Sequence, residues 1–242
     1  MKRWKNIVFG LVIGVYFPVI FSFVAVNKDK VVCGEILPTI CDSVDNKFIS
    51  SGEIRDIVLG KYTGILGRPI NELNCDEMEA FFRKHPAIES CEVYLTYGGA
   101  LHIDITQREP LVRVFDGDVS YYLDLNGRQM PLFKNHSAHV LVAGGFIKRL
   151  KSPEDLVKLA SVIRNDAFWQ AQIEQVYVDQ DGEITMVPRV GDHLIEFGKV
   201  EDVESKFRNL KALYKSGWDA REWNLYKKVS LKYKGQVVCT KG

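Results

Sequence analysis

The sequence lacks a surplus of either charge. It also lacks the low content of apolar residues that is typical of disordered chains. Its 32 Lys and Arg residues nearly cancel its 31 Asp and Glu residues. No overall field would therefore draw the protein to nucleic acid or to an acidic surface, and we expect no nucleic-acid partner. Hydrophobic residues make up 46% and aromatic residues 11% of the 242 residues. Most of the chain should therefore pack into folded domains.

The histidines do not form a metal-binding pattern. His136 and His139 stand close together, but a zinc site needs three or four ligands. No Cys or carboxylate stands beside them at a supporting spacing. We interpret this stretch as a loop before a strand, and we predict neither a metal nor a cofactor.

A complete catalytic set is also missing. Cys75 or Cys91 could act as a nucleophile with His85 as its base, but nothing in the sequence identifies an oxyanion hole. The pair Gly144-Gly145 lacks the glycine pattern and the Lys-Ser/Thr of a phosphate-binding loop. The sequence therefore predicts no enzyme and no small-molecule substrate.

Two pairs of carboxylates leave one enzymatic alternative open, a membrane-anchored cell-wall hydrolase. Asp116 and Asp118 flank one glycine, and Asp179 and Asp181 precede another. Asp is favoured in turns because its side chain hydrogen-bonds nearby backbone groups. We therefore prefer to interpret both pairs as turns.

The five cysteines cannot all pair within one chain. Cys33 and Cys41 would lie about 26 Å apart if both belong to one continuous strand, too far for a disulfide. A bond between Cys75 and Cys91 stays open. We expect the cysteines to pack as small hydrophobic residues and not to form a disulfide framework.

Residues 7–26 contain no charged residue. A helix of this length spans about 30 Å, the thickness of a bilayer core, so the run predicts a transmembrane helix. A cleaved signal peptide is the alternative, but its apolar region is usually shorter and residues 23–25 form a poor cleavage site. Three basic residues precede the run and two follow it. We infer a cytoplasmic tail at residues 1–6, with all folded domains outside.

The sequence predicts a first outer domain at residues 31–109. Ser50 and Asn74 can each cap a helix, with Glu53 and Glu77 three residues later. A β-branched segment precedes these helices, and alternating apolar residues on both sides of Gly98-Gly99 follow them. The order strand, helix, helix, hairpin predicts two helices on one face of a three-stranded sheet. This arrangement resembles a POTRA domain.

The second domain, residues 110–242, is predicted to be a mainly antiparallel β domain with two helices. Asn126-Gly127 indicates a hairpin, and several short strands follow. Apolar residues at helical spacing predict helices near residues 153–164 and 201–215. The tail from Lys228 to Cys239 alternates, which predicts one last strand with its lysines towards water. The whole chain is thus predicted to be α+β, with an N-terminal transmembrane helix.

A family resemblance rests on the order of these parts and on two motifs. Residues 107–114, QREPLVRV, and residues 121–128, YYLDLNGR, resemble the domain boundary and first hairpin of the FtsQ/DivIB family. The resemblance implies a non-catalytic divisome scaffold in the inner (cytoplasmic) membrane at the division septum. It also implies partners similar to FtsB/DivIC and FtsL.

The resemblance implies that the exposed edge of the last strand, with the neighbouring helix, receives the partner, and strand addition would suit the contact at the edge. The implied partner-binding residues are Val229, Ser230, Leu231, Lys232, Tyr233, Lys234, Gly235, Gln236, Val237 and Val238. The family's Asp-Leu-Arg-Tyr run appears as Ser-Leu-Lys-Tyr at residues 230–233, so charge pairing by that Asp and Arg is not carried over.

Two further alternatives stay open. POTRA domains also occur in envelope assembly and secretion systems, but such a protein would need a C-terminal barrel, and the two predicted helices argue against one. The tail could also be an ordinary closing strand whose lysines protect its edge.

Overall fold

The computed structural model describes residues 12–19, 31–42, 47–134, 136–218 and 224–242. Residues 12–19 are helical. The rest of the predicted transmembrane helix at residues 7–26, and the predicted tail at residues 1–6, lie outside the described residues. Within the described part of the chain, no helix is both long enough and apolar enough to cross a membrane. The chain divides into two compact units between Arg108 and Glu109.

The first unit is a three-stranded sheet with two helices. Strand β3 is central, with β1 parallel to it on one side and β2 antiparallel on the other. This confirms the predicted order of strand, helix, helix and hairpin. The elements are β1 (Glu35–Ile40), α1 (Ser51–Lys61), a 3-10 turn (Ile70–Glu72), α2 (Cys75–Phe82), β2 (Ile88–Leu95) and β3 (Ala100–Gln107).

The helices of the first unit begin where the sequence predicts. The Ser50 hydroxyl accepts the Glu53 N–H at 3.2 Å, and the Glu53 carboxylate accepts the Ser50 N–H at 2.8 Å. Asn74 caps α2 by accepting the Glu77 N–H at 3.1 Å. These bonds satisfy backbone donors that have no partner inside the helix. Buried residues of both helices, such as Val58 and Phe82, then pack on the sheet.

The second unit is built on a nine-stranded sheet in the order β12-β11-β10-β9-β8-β7-β4-β5-β6. Its strands are β4 (Pro110–Asp116), β5 (Val119–Asp124), β6 (Gln129–Met130), β7 (Leu141–Gly145), β8 (Ile173–Val178), β9 (Ile184–Pro188), β10 (Leu194–Gly198), β11 (Tyr226–Ser230) and β12 (Val238–Lys241). Neighbouring strands are antiparallel except for the pairs β4–β7, β7–β8 and β10–β11, which are parallel.

The described part of the second unit contains three α-helices, where the sequence predicted two. Helix α3 (Pro153–Asn165) confirms the helix predicted near residues 153–164, and Ser152 caps it. Helix α4 (Ala167–Gln172) was missed, because six residues are too few to show a helical period; Asp166 caps it. Helix α5 (Val203–Ala212) continues into a π-helical turn at Leu213–Gly217. Apolar residues of all three helices pack against the sheet.

The prediction of one last strand from Lys228 to Cys239 is wrong. Strand β11 ends at Ser230, the chain turns, and β12 begins at Val238 and runs antiparallel beside β11. The turn contains Gly235, whose φ of 72° lies in the left-handed region. In one continuous strand Tyr233 would lie on the same face as Val229, but Tyr233 is 59% exposed and Val229 is buried. Apolar and polar residues alternate through the turn as they do in the two strands. The alternation alone therefore could not reveal that the chain turns.

Candidate partner-binding edge

Strand β12 forms an open edge of the large sheet. One side of β12 pairs with β11, and no described strand pairs with its other side. An edge strand presents N–H and C=O groups that can pair with an extended segment of another chain. The edge is therefore chemically suited to strand addition.

The predicted site residues lie in three different environments. Val229 and Ser230 belong to β11, which β10 and β12 cover on both sides. Leu231 is buried, with 2% of its surface exposed, and its N–H donates to the Glu196 carbonyl at 2.9 Å. Residues 232–237 form the connecting turn, and only Val238 belongs to the edge strand itself.

Sequence reasoning missed most of the edge strand. Cys239, Thr240 and Lys241 continue β12 beyond the predicted site. The signal that could have identified them is Gly235, a turn residue between two alternating segments.

Two of the tail lysines form ion pairs, where the sequence predicted lysines directed to water. Lys228 in β11 lies 3.1 Å from Glu196 in β10. Lys232 in the turn lies 2.5 Å from Glu183 beside β9, and this hydrogen bond raises the pKa of the Lys232 ammonium group. The ion pair between Lys232 and Glu183 connects the turn before β12 to the start of β9.

Exposed apolar side chains lie in β12 and in the segments that adjoin the last hairpin. Tyr233 is 59% exposed and Val238 is 40% exposed. Leu225, just before β11, is also half exposed, and its carbonyl accepts the Gly242 N–H at 3.3 Å. These side chains could add side-chain contacts to a main-chain interaction.

Two other described sheet edges, β2 and β6, are more protected. On β2, the Glu79 carboxylate accepts the Val93 N–H at 2.9 Å, and Arg108 donates to the Ile88 carbonyl at 3.3 Å. Strand β6 has only two residues. Side-chain cover and shortness are both devices that block edge pairing, so β12 is more accessible than β2 and β6.

The carboxylate pairs considered for hydrolysis have structural roles. Asp116 forms an ion pair with Lys148 at 3.0 Å. Asp179 accepts the N–H groups of Asp181 and Glu183, each at 2.9 Å, which closes the turn between β8 and β9. This is the backbone role that favours Asp in turns.

The remaining candidates for chemistry do not form a cluster. Within the described residues, no group of three or more His, Cys, Asp and Glu side chains is arranged to hold a metal ion. All five cysteines are free thiols. Cys91 is buried, and desolvation is the largest of the effects that raise its pKa to about 12, so it is a poor nucleophile near neutral pH.

Two family comparisons together cover most of the chain. Residues 31–106 match the POTRA-like domain, and residues 109–240, more than half of the chain, match the FtsQ/DivIB, C-terminal related family. No curated protein matches the chain. FtsQ/DivIB is a non-enzymatic family whose members act with other division proteins at the septum. The chain therefore belongs to the FtsQ/DivIB family of cell-division proteins.

Proposed function

We propose that this division protein is a divisome scaffold that captures a partner on the edge of β12. The observation that carries the proposal is the open side of β12 at one end of a nine-stranded sheet. A partner segment in extended conformation would add a tenth strand and satisfy the free backbone groups. By family resemblance, the partner is an FtsB/DivIC-like protein in complex with an FtsL-like protein.

The proposed site keeps the region from Val229 to Val238 and extends it through Lys241. Its parts have different roles: β12 supplies the main-chain template, and exposed Tyr233 and Val238 contact partner side chains. Val229, Ser230 and Leu231 support the edge from inside the sheet.

We also propose that residues 7–26 anchor the scaffold in the cytoplasmic membrane, with both units on the outer side. The support is the twenty-residue run without charge. Such an anchor would confine the scaffold to the same membrane as other single-span division proteins, and it would raise the effective concentration of one for the other.

The test measures binding of the full-length protein, in detergent micelles, to the outer segment of an FtsB/DivIC-like protein. Thr240→Pro removes one N–H from β12. The matched control, Gln129→Pro, makes the same change in β6 at the opposite end of the sheet. We expect Thr240→Pro to reduce the affinity at least about tenfold and Gln129→Pro to leave it nearly unchanged.

Tyr233→Ala gives a second test, because it removes an exposed side chain and leaves the backbone of β12 intact. We expect severalfold weaker binding. Circular dichroism of each variant would show whether the sheet is retained. Unchanged affinity in a folded Thr240→Pro variant would contradict strand addition at this edge.

A further inference from the structure

A groove with a volume of about 440 Å³ lies between α5 and the pair α3–α4, on the helical side of the large sheet. Its floor is apolar and includes Val162, Trp169 and Phe207. Trp169 and Phe207 pack edge to face, with ring centroids 5.2 Å apart, and both are buried. The floor is therefore a fixed surface, formed by side chains that the core already holds in place.

The α5 side of the groove is positively charged. Arg208, Lys211 and Lys215 all line it, and their spacing of three and four residues places them on one face of the helix and its continuation. Lys211 forms an ion pair with Asp166. The Asp166 carboxylate is also the cap of α4, where it accepts the Phe168 N–H at 3.0 Å.

Two of these cations are not neutralised within the described part of the chain, where neither Arg208 nor Lys215 forms an ion pair with a carboxylate. Arg208 instead donates to the Ser205 hydroxyl at 3.1 Å. Glu204 is the other acidic residue of the groove besides Asp166. The groove thus combines an apolar floor with a positive rim.

We propose that this groove binds an acidic amphipathic α-helix of another protein. Arg208 and Lys215 are seven residues apart, which corresponds to about 10.5 Å along a helix axis. In a partner helix that lies parallel to α5, residues i and i+7 are separated by the same distance. Acidic residues at those two positions would face Arg208 and Lys215, and apolar residues at i+3 and i+4 would pack on Trp169 and Phe207.

This surface is separate from the proposed partner edge. The groove lies on helices that cover one face of the sheet, whereas β12 binds through its backbone at the end of the sheet. The proposal goes beyond the scaffold function proposed above. It can hold or fail independently of strand addition.

The probe is a synthetic helical peptide of three heptads, with Leu at the apolar positions and Glu at two positions seven residues apart. A control peptide carries Gln in place of both Glu residues. Binding to the full-length protein in detergent micelles is measured by fluorescence anisotropy. We expect the Glu peptide to bind more tightly than the Gln peptide, and its affinity to fall as salt is added.

Charge reversal tests the rim. The double variant Arg208→Glu, Lys215→Glu should bind the Glu peptide at least about tenfold more weakly, because like charges would face each other. A third peptide, with Lys at the two positions, should bind this variant better than it binds the wild type. Such a reversal of preference would separate a lost contact from a damaged fold.

Two further variants complete the test. Ala212→Trp would fill the groove from an exposed position without changing its charge, and we expect it to weaken peptide binding. The control Arg55→Glu, Lys84→Glu changes two exposed cations of the first unit and should leave binding intact. Equal binding of the Glu and Gln peptides, or full affinity in the double variant, would overturn the proposal. A third outcome would also overturn it: the wild type binds phosphatidylglycerol vesicles but no peptide, and the double variant no longer binds the vesicles. The positive rim would then be a lipid contact.

Discussion

Cys239 of β12 lies directly opposite Val229 of β11 in the register of the large sheet. Val229 is fully buried, and Cys239 packs against the same core. The pairing shows that the tail is a hairpin whose second strand forms the edge of the sheet. In a single continuous strand these two residues would be separated by about 33 Å.

Val229→Cys should form a disulfide with Cys239 on mild oxidation. Directly opposed residues of antiparallel strands have Cα atoms about 4.5–5.5 Å apart, within the range that a disulfide spans. The measurement is peptide mapping by mass spectrometry without reduction. Val229→Cys combined with Cys239→Ser is the control that should lack the linked peptide. Absence of the 229–239 link in the folded single variant would argue for a continuous strand.

Local signals were sufficient to predict the first unit, and they failed where distant parts of the chain decide the structure. The Ser50 and Asn74 caps lie within three residues of their partners, and the structure forms both bonds. The position of β12 depends instead on pairing across a turn, and β11 is placed by parallel pairing with β10. No short pattern encodes those pairings, so the sequence predicted one closing strand where the structure has two.

The neighbours Gly144 and Gly145 should respond in opposite ways to substitution by alanine. A Cβ at Gly145 would lie 2.2 Å from the Val178 carbonyl, and its φ of 94° is unfavourable for alanine. A Cβ at Gly144 would meet only the Phe115 carbonyl, at 3.9 Å. We expect Gly145→Ala to lower the free energy of unfolding by about 2 kcal/mol or more. Gly144→Ala should change it little or raise it by up to about 1 kcal/mol.

Urea denaturation of both alanine variants beside the wild type would measure this difference. Each variant is the control for the other, because the two substitutions add the same methyl group to adjacent positions of β7. Equal effects on the midpoint would mean that the backbone around Gly145 differs from the one described.

The ion pair between Asp166 and Lys211 should make part of the stability depend on pH. The hydrogen bond from Lys211 is the largest effect that lowers the pKa of the Asp166 carboxyl group. A carboxyl group whose pKa is lower in the folded state stabilises the fold above its unfolded pKa, near 4, and this contribution disappears as the pH falls through the folded-state value. The side chains are 31% and 33% exposed, so we expect less than about 1 kcal/mol.

Asp166→Asn can still cap α4 but cannot form the ion pair. We expect it to be less stable than the wild type at pH 7, and we expect the difference in urea midpoint to shrink as the pH falls below about 4. Lys211→Met should reproduce the pattern. A difference that persists unchanged at low pH would mean that Asp166 acts through its cap and not through its charge.

Cysteine reactivity should distinguish the exposed thiol of Cys41, just after β1, from the buried thiol of Cys91 in β2. Cys41 is exposed, whereas Cys91 is 1% exposed and its pKa is raised to about 12, chiefly by burial. At pH 8 a thiol with that pKa is about one part in ten thousand thiolate, the reactive form. We expect iodoacetamide to label Cys41 within minutes and Cys91 only after unfolding. Equal labelling of the two in the folded protein would contradict the packing of the first unit.

The ion pair between Lys232 and Glu183 should stabilise the turn that leads into the partner edge. Lys232→Glu would place two carboxylates together and loosen the turn before β12. Because the side chains are 39% and 28% exposed, we expect a stability loss of only about 1 kcal/mol.

The free energy of partner binding should weaken by more than this stability loss, because an ordered edge strand binds at a smaller entropic cost than a mobile one. Lys84→Glu, at an exposed position of the first unit, is the control for net charge. The exchange Lys232→Glu with Glu183→Lys should restore the pair and recover both stability and affinity. If the exchange recovers stability but not affinity, the Lys232 ammonium group contacts the partner directly and does not act by holding the turn.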